Sequence, residues 1–506
     1  MMLKHNNCLC LITLLLASFQ ITFVYCEGWA WISGDKIVDQ VSTYQYPGGR
    51  SGASTWHDVN VNLTWMFGGQ GFSEFPSGKP HLLNDLWIFN FNPVTEAKEK
   101  MDYFVKLGPV VSTGNSQKEI KPWPGIRQHA SMCGFSDSLI LFGGLGENGT
   151  GLEDLWIFNL RDKTWRQMSK KGPSRRGHPG VWCFGSFMYI FGGLGEKGQI
   201  LNDMWKLNML TLEWTLLQPF SVDMELPFKA DLPEGRNGPA TWVSGGAFYM
   251  FGGNTASSFS YSMQLVEGLV SDMWRYFPCN STWDRVKDPM ITDNKKIHNH
   301  MDAEKDAGPT IPGPRIGAGS WVDSLGNLWL FGGAGSDASL ATASKHSQVL
   351  SDIWRFNTKP KVWEFVGGSR EGGKAGIYTN LGEETVDGLP GSRTEMMVFP
   401  GKSDKIYIFG GVGHDGRKVD GFLNDLWSLD VSSVMSYQYM ISVLSLLLFL
   451  GVGIFLLIIG FVVGLSSRED KHHGLMNRLS YTAVRSGLGA SGHQYKQLKT
   501  DSEFIM

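Results

Sequence analysis

A phenylalanine followed by two glycines recurs six times in this chain, as Phe67-Gly68-Gly69, Phe142-Gly143-Gly144, Phe191-Gly192-Gly193, Phe251-Gly252-Gly253, Phe331-Gly332-Gly333 and Phe409-Gly410-Gly411. Each copy sits in the same frame. A Pro-x-x-Arg precedes it, ending at Arg50, Arg127, Arg176, Arg236, Arg315 and Arg393. An Asp-aliphatic-Trp follows it, as Asp85-Leu86-Trp87, Asp154-Leu155-Trp156, Asp203-Met204-Trp205, Asp272-Met273-Trp274, Asp352-Ile353-Trp354 and Asp425-Leu426-Trp427. A further tryptophan trails most copies, at Trp165, Trp214, Trp283 and Trp363, whereas the first copy has Tyr103 or Phe104 there. Three motifs in fixed order define one supersecondary unit that cannot bury its apolar face alone and must pack against its neighbours. Period-2 stretches such as Lys405-Ile406-Tyr407-Ile408-Phe409 read as strands, and the glycine pair as the strand's end, where the backbone needs positive φ or close approach. The 63 glycines and 19 tryptophans fit short strands joined by tight turns and packed through large aromatic faces.

These motifs resemble the kelch repeat, over about Trp29 to Leu429. The resemblance implies an all-β, six-bladed kelch-type β-propeller, one four-stranded blade per repeat around a central channel. The sixth copy lacks a trailing tryptophan, and Trp29-Ala30-Trp31-Ile32-Ser33-Gly34 resembles Trp363-Glu364-Phe365-Val366-Gly367. The amino-terminal segment is therefore expected to supply the outer strand of the last blade and close the ring, removing exposed strand edges.

Two apolar segments flank the repeats. Residues 1–26 have a signal-peptide order, with Lys4 before the apolar run Cys8 to Phe19 and a cut expected after Cys26; the alternative is an uncleaved signal anchor. Met440 to Leu465 carries no charge, is long enough to cross a bilayer, and is followed by Arg468 and Lys471. The expected organisation is a signal peptide (1–26), an extracellular or lumenal propeller (27–431), one C-terminal transmembrane helix (440–465) and a cytosolic tail (466–506). That makes a single-pass type I protein of the cell surface or the endosomal and secretory pathway. Asn62, Asn148 and Asn280 head Asn-x-Ser/Thr sequons, of which Asn148 is the best placed. In the tail, Tyr481 to Val484 and Tyr495 to Leu498 match the Tyr-x-x-aliphatic sorting signals that adaptors bind as extended strands.

In an antiparallel blade the b–c loop and the d–a connection emerge on one face, and the long insertions all fall there. They are Gln70 to Leu83, Asn254 to Val270 and Ala334 to Leu350 between strands b and c, and Lys106 to Lys121, Lys287 to Thr310 and Gly368 to Asp387 between blades. The six arginines start strand a on that face. At the matching position, kelch propellers that bind acidic peptides line their pocket with arginine, which implies a rim for an anionic peptide or glycan. Each blade also brings one aspartate to that face, and pairing into Arg–carboxylate forks is the competing fate. Free arginine donors at the mouth would decide between the two.

The net charge of −3 gives no basic surplus for nucleic acid. No nucleophile elbow, zincin helix or P-loop occurs, so a protein or glycan binder is expected before an enzyme, with no cofactor or metal. A lumenal carbohydrate-active or metal-dependent oxidising enzyme and a homophilic adhesion module are the alternatives; the crosslinked Cys–Tyr of kelch-like copper oxidases is not marked here. His129 and His178 stand two residues after their arginines and read as structural hydrogen-bonders. His298 and His300, with Asp302, Glu304 and Asp306, read as a solvated loop. Without the leader, Cys133, Cys183 and Cys279 remain, an odd, widely spaced set that permits one bridge at most and reads as buried small hydrophobes.

Overall fold

The computed structural model describes residues 28–74, 78–90, 103–108, 122–169, 171–219, 232–256, 268–286, 311–337, 347–385, 387–401, 404–432, 451 and 454–459. The chain divides into two units, Met1–Val434 and Met435–Met506.

The first unit is a β-propeller of six antiparallel blades. From the innermost strand outward, the first blade is Ser54–Asp58, Leu63–Gly71, His81–Asn90 and Phe104–Gly108. The second is Ser131–Phe135, Ser138–Phe142, Leu155–Asn159 and Thr164–Met168, and the third Gly180–Phe184, Phe187–Gly195, Ile200–Asn208 and Glu213–Gln218. Ala240–Ser244, Ala247–Phe251, Met273–Phe277 and Thr282–Arg285 make the fourth; Gly319–Val322, Leu328–Gly335, Gln348–Asn357 and Val362–Ser369 make the fifth. The sixth has Met397–Pro400, Lys405–Phe409 and Leu426–Asp430, and its outer strand is the amino-terminal Trp29–Ser33, with Trp29 opposite Leu429 and Trp31 opposite Trp427. Each innermost strand touches the next, and the sixth touches the first, so the ring is closed.

The core lies between blades. The outer-strand aromatic of each blade docks on the phenylalanine of the preceding blade's Phe-Gly-Gly, as Trp165 on Phe67, Trp214 on Phe142, Trp283 on Phe191 and Trp363 on Phe251, with ring centroids 5.0–5.5 Å apart. The two irregular repeats obey the same rule. Phe104 docks on Phe409 at 4.9 Å, and Trp29 docks on Phe331 at 5.5 Å. Phe104 thus does in the first blade what tryptophan does elsewhere, and Trp29 is wholly buried. Burying one such ring stabilises by roughly 2–3 kcal/mol, and tilted ring pairs add somewhat more. Trp31 lies over the outer edge, edge-on to Tyr378.

The glycine pair does not always end its strand. In the first, third and fifth blades the strand runs on through a bulge at Phe67/Gly69, Phe191/Gly193 and Phe331/Gly333. In all six blades the pair makes a joint with the next blade. A Cβ on Gly68, Gly143, Gly192, Gly252, Gly332 or Gly410 would lie 2.6–2.8 Å from the carbonyl oxygen of the next blade's motif arginine. Only glycine permits that approach, at a φ that other residues adopt with strain.

In the second unit Ile454–Ile459 is helical and exposed, and among the described residues no helix is long and apolar enough to cross a membrane. Most of the expected span, the leader 1–26 and the tail tyrosines Tyr481 and Tyr495 lie outside the described residues.

Candidate functional site at the channel mouth

The Pro-x-x-Arg motif brings each arginine to the start of its inner strand. Arg50, Arg176, Arg315 and Arg393 pair there with Gly71, Gly195, Gly335 and Gly413, at the b–c loop end of the neighbouring strand. The arginines therefore stand on the loop-bearing face, as the alternation of strands requires, but they do not form an open rim. All six are at most 2 % exposed.

Each guanidinium forks onto the aspartate of its own repeat through both Nη atoms, at 2.5–3.0 Å: Arg50 on Asp85, Arg127 on Asp154, Arg176 on Asp203, Arg236 on Asp272, Arg315 on Asp352 and Arg393 on Asp425. Nη1 also donates to the carbonyl of the first motif glycine, and Nε to the carbonyl two residues upstream. The tryptophan two residues on donates its indole N–H to the same carboxylate at 2.6–2.7 Å. One physical unit thus explains three motifs. Burial alone would push the carboxyls of Asp85, Asp154 and Asp272 up, but the arginine charge and the hydrogen bonds from arginine and tryptophan hold them below the ordinary carboxylate range. The expected anion-binding rim is corrected accordingly: its positive charge is neutralised within each blade and most of its donors are taken. The sixth fork has an extra partner, since the Tyr378 hydroxyl donates to Asp425 Oδ2 at 2.7 Å.

Two residues beyond each arginine lies a second ring, made of backbone. His129 N–H donates to Gly52 O, His178 to His129, Gly238 to His178, Gly317 to Gly238, Glu395 to Gly317 and Gly52 to Glu395, at 2.7–3.2 Å. The circle closes on itself. All six residues have φ between +56° and +64°, so glycine is the natural occupant, yet two histidines and a glutamate hold three of the places. Their side chains meet over the channel. The imidazoles of His129 and His178 stack at 4.0 Å, and His129 Nε2 is 3.5 Å from Glu395 Oε2. Glycine at position 52 leaves the room this needs, because a Cβ there would sit 2.5 Å from His129 Cε1. Below the ring lies a cavity of about 300 Å³, lined among others by Ser54, Met132, Val181 and Thr241.

Desolvation lowers the pKa of His129 to about 4. For His178, desolvation with the adjacent His129 lowers it to about 3. Burial raises that of Glu395. His129 Nε2 is buried without a hydrogen-bond partner, so the expected structural hydrogen bond from this ring nitrogen does not form. Glu395 was invisible beside the histidines in the sequence, being far away in the chain and lying in another blade.

Cys133 and Cys183, on the inner strands of adjacent blades, form a disulfide with their Cα atoms 5.7 Å apart. This corrects the reading of both as separate buried thiols; Cys279 is exposed and free rather than buried. Asn62 is buried at a tight turn, with its amide nitrogen enclosed, so that sequon is closed to modification in the folded protein. Asn148 and Asn280 are exposed, and Thr282 Oγ1 donates to Asn280 Oδ1 at 2.8 Å. His298, His300, Asp302, Glu304 and Asp306 lie outside the described residues.

Residues 111–307 match the KLHDC2/KLHL20/DRC7 Kelch-repeats domain. Over those residues the chain is similar to kelch repeats. The match covers less than half of the chain, and the remaining blades repeat the same fork and the same aromatic dock. No curated protein matches the chain. Kelch propellers are generally protein-binding scaffolds.

Proposed function

We propose that this kelch propeller is the lumenal or extracellular part of a single-pass type I membrane protein and binds a protein or glycan on its loop-bearing face, without catalysis. The observation that carries the binding surface is the described part of that face around the sixth blade. There the segments 36–46, 376–382 and 415–422 are held together by Asp39 N–H to Phe422 O at 2.8 Å, Gly416 N–H to Lys36 O at 3.2 Å and Gly376 N–H to Asp415 O at 3.2 Å. They leave Ile37, Val41, Tyr44, Ile377 and Val419 exposed, Tyr44 at 85 %. Apolar side chains gathered on loops over a rigid scaffold are what a binding surface needs. With the arginines neutralised, apolar and hydrogen-bonding contacts would supply recognition rather than a ring of positive charge. The Cys133–Cys183 bridge supports an oxidising compartment, as do the exposed sequons at Asn148 and Asn280.

The test is proximity labelling by the full-length protein on intact cells. Val41→Asp and Tyr44→Asp together should remove the partners recovered by the wild type. Val61→Asp and Leu210→Asp, at exposed turns on the opposite face, should keep them. Loss in the opposite-face variants alone would assign binding to the other side of the disc and refute the proposal.

A further inference from the structure

We propose that His129, His178 and Glu395 form a binding site for a divalent transition-metal ion of the zinc type at the mouth of the channel, with its remaining coordination position open to the cavity. This proposal does not depend on what the loop-bearing face binds. One potential ligand atom from each of the three side chains lies within 4.8 Å of the others. One pair, His129 Nε2 and Glu395 Oε2 at 3.5 Å, already stands at about the separation that two donors keep on a tetrahedral zinc ion, given metal–ligand distances of about 2.0–2.2 Å. A third donor at 4.8 Å or less needs a side-chain adjustment of roughly an ångström to join them.

Two further observations point the same way. His129 is 7 % exposed, and its Nε2 has no hydrogen-bond partner, a state that native proteins rarely tolerate without a reason. Non-glycine residues occupy strained left-handed backbone at these three ring positions, where glycine serves at the other three, which points to a role for the side chains themselves. Two imidazoles and one carboxylate suit zinc and its first-row neighbours rather than calcium or magnesium, which prefer all-oxygen sites. Because the three residues come from the second, third and sixth blades, the ion would tie these blades together across the channel.

The experiment titrates the full-length protein with zinc chloride alone, reading stoichiometry by equilibrium dialysis and coordination by the visible absorption of the cobalt(II)-substituted protein. Glycine is the right replacement, since the ring already accommodates it. The expected result is one zinc ion per chain, weakened by about tenfold or more in His129→Gly and Glu395→Gly, with melting temperatures in chelator no lower than that of the wild type. Glu395→Gln, which keeps the side chain's size, should weaken binding as well. The proposal is overturned if no stoichiometric zinc binds, if the ring variants bind as tightly as the wild type, or if binding is lost only in His298→Ala with His300→Ala.

Discussion

Replacing Gly192 by alanine isolates the joint between blades. The glycine has φ +66°, and a methyl group there would lie 2.6 Å from Arg236 O and 2.8 Å from Leu201 O, both backbone atoms that cannot rotate away. The left-handed conformation alone costs an L-residue about 1–2 kcal/mol. Relief of the contact must push the third and fourth blades apart by several tenths of an ångström. That stretches the 2.9 Å bond from Gly193 N–H to Arg236 O, worth about 1 kcal/mol. The sum is about 2–3 kcal/mol. Gly185 supplies the control, with φ +58° and open space around its would-be Cβ, so Gly185→Ala should cost only about 1–2 kcal/mol. In urea, with a slope of roughly 3 kcal/mol per molar, the midpoints should fall by about 1 M and about 0.5 M or less respectively. Equal losses in the two variants would mean that the Gly-Gly motif serves backbone conformation only, and that the close approach of neighbouring blades is not what selects it.

Two other outcomes follow from the forks and the bridge. Asp85, Asp154 and Asp272 titrate lower in the folded protein than unfolded, so their contribution is complete above the ordinary carboxylate range and lost as pH falls through their depressed values. Stability should therefore drop steeply below about pH 4, and Asp272→Asn, which strands the buried Arg236, should cost about 3–5 kcal/mol at neutral pH, measured by urea unfolding. The Cys133–Cys183 bridge spans a sequence separation of 50, for which chain entropy predicts about 4 kcal/mol. The Cys133→Ser, Cys183→Ser double variant should lose that much, and an unchanged midpoint would mean that the two sulfurs are not joined.

Much of this architecture was legible in the residues, because its determinants are local and repeated. The docking of Trp29 follows from its likeness to Trp363 and from the tryptophan missing at the far end. Phe104 could replace tryptophan because the wedge between blades asks only for a large aromatic surface. What could not be read were contacts fixed by closure of the ring. Whether the arginines stay free or fork onto aspartate depends on depth below the surface, which motif spacing does not encode. Cys133 and Cys183 lie one position apart in the repeat and meet only because the inner strands of adjacent blades run side by side, and an odd cysteine count hid the pair. Glu395 reaches His129 across a blade whose ring position is Gly52, so the trio emerges from rotational order rather than from proximity in sequence. Asn62 matched a sequon that the turn then enclosed.

The closing strand has a consequence for biosynthesis. Trp29 leaves the ribosome about 400 residues before its partner Leu429, an interval of roughly 20–80 s at ordinary elongation rates. Throughout that time the nascent horseshoe carries an unpaired amino-terminal strand rich in tryptophan, and once the fifth blade has emerged its Phe331 stays without the indole that covers it until the sixth blade is complete. Chaperone holding of that strand, rather than the packing of any single blade, is therefore the step on which the yield of finished molecules should turn.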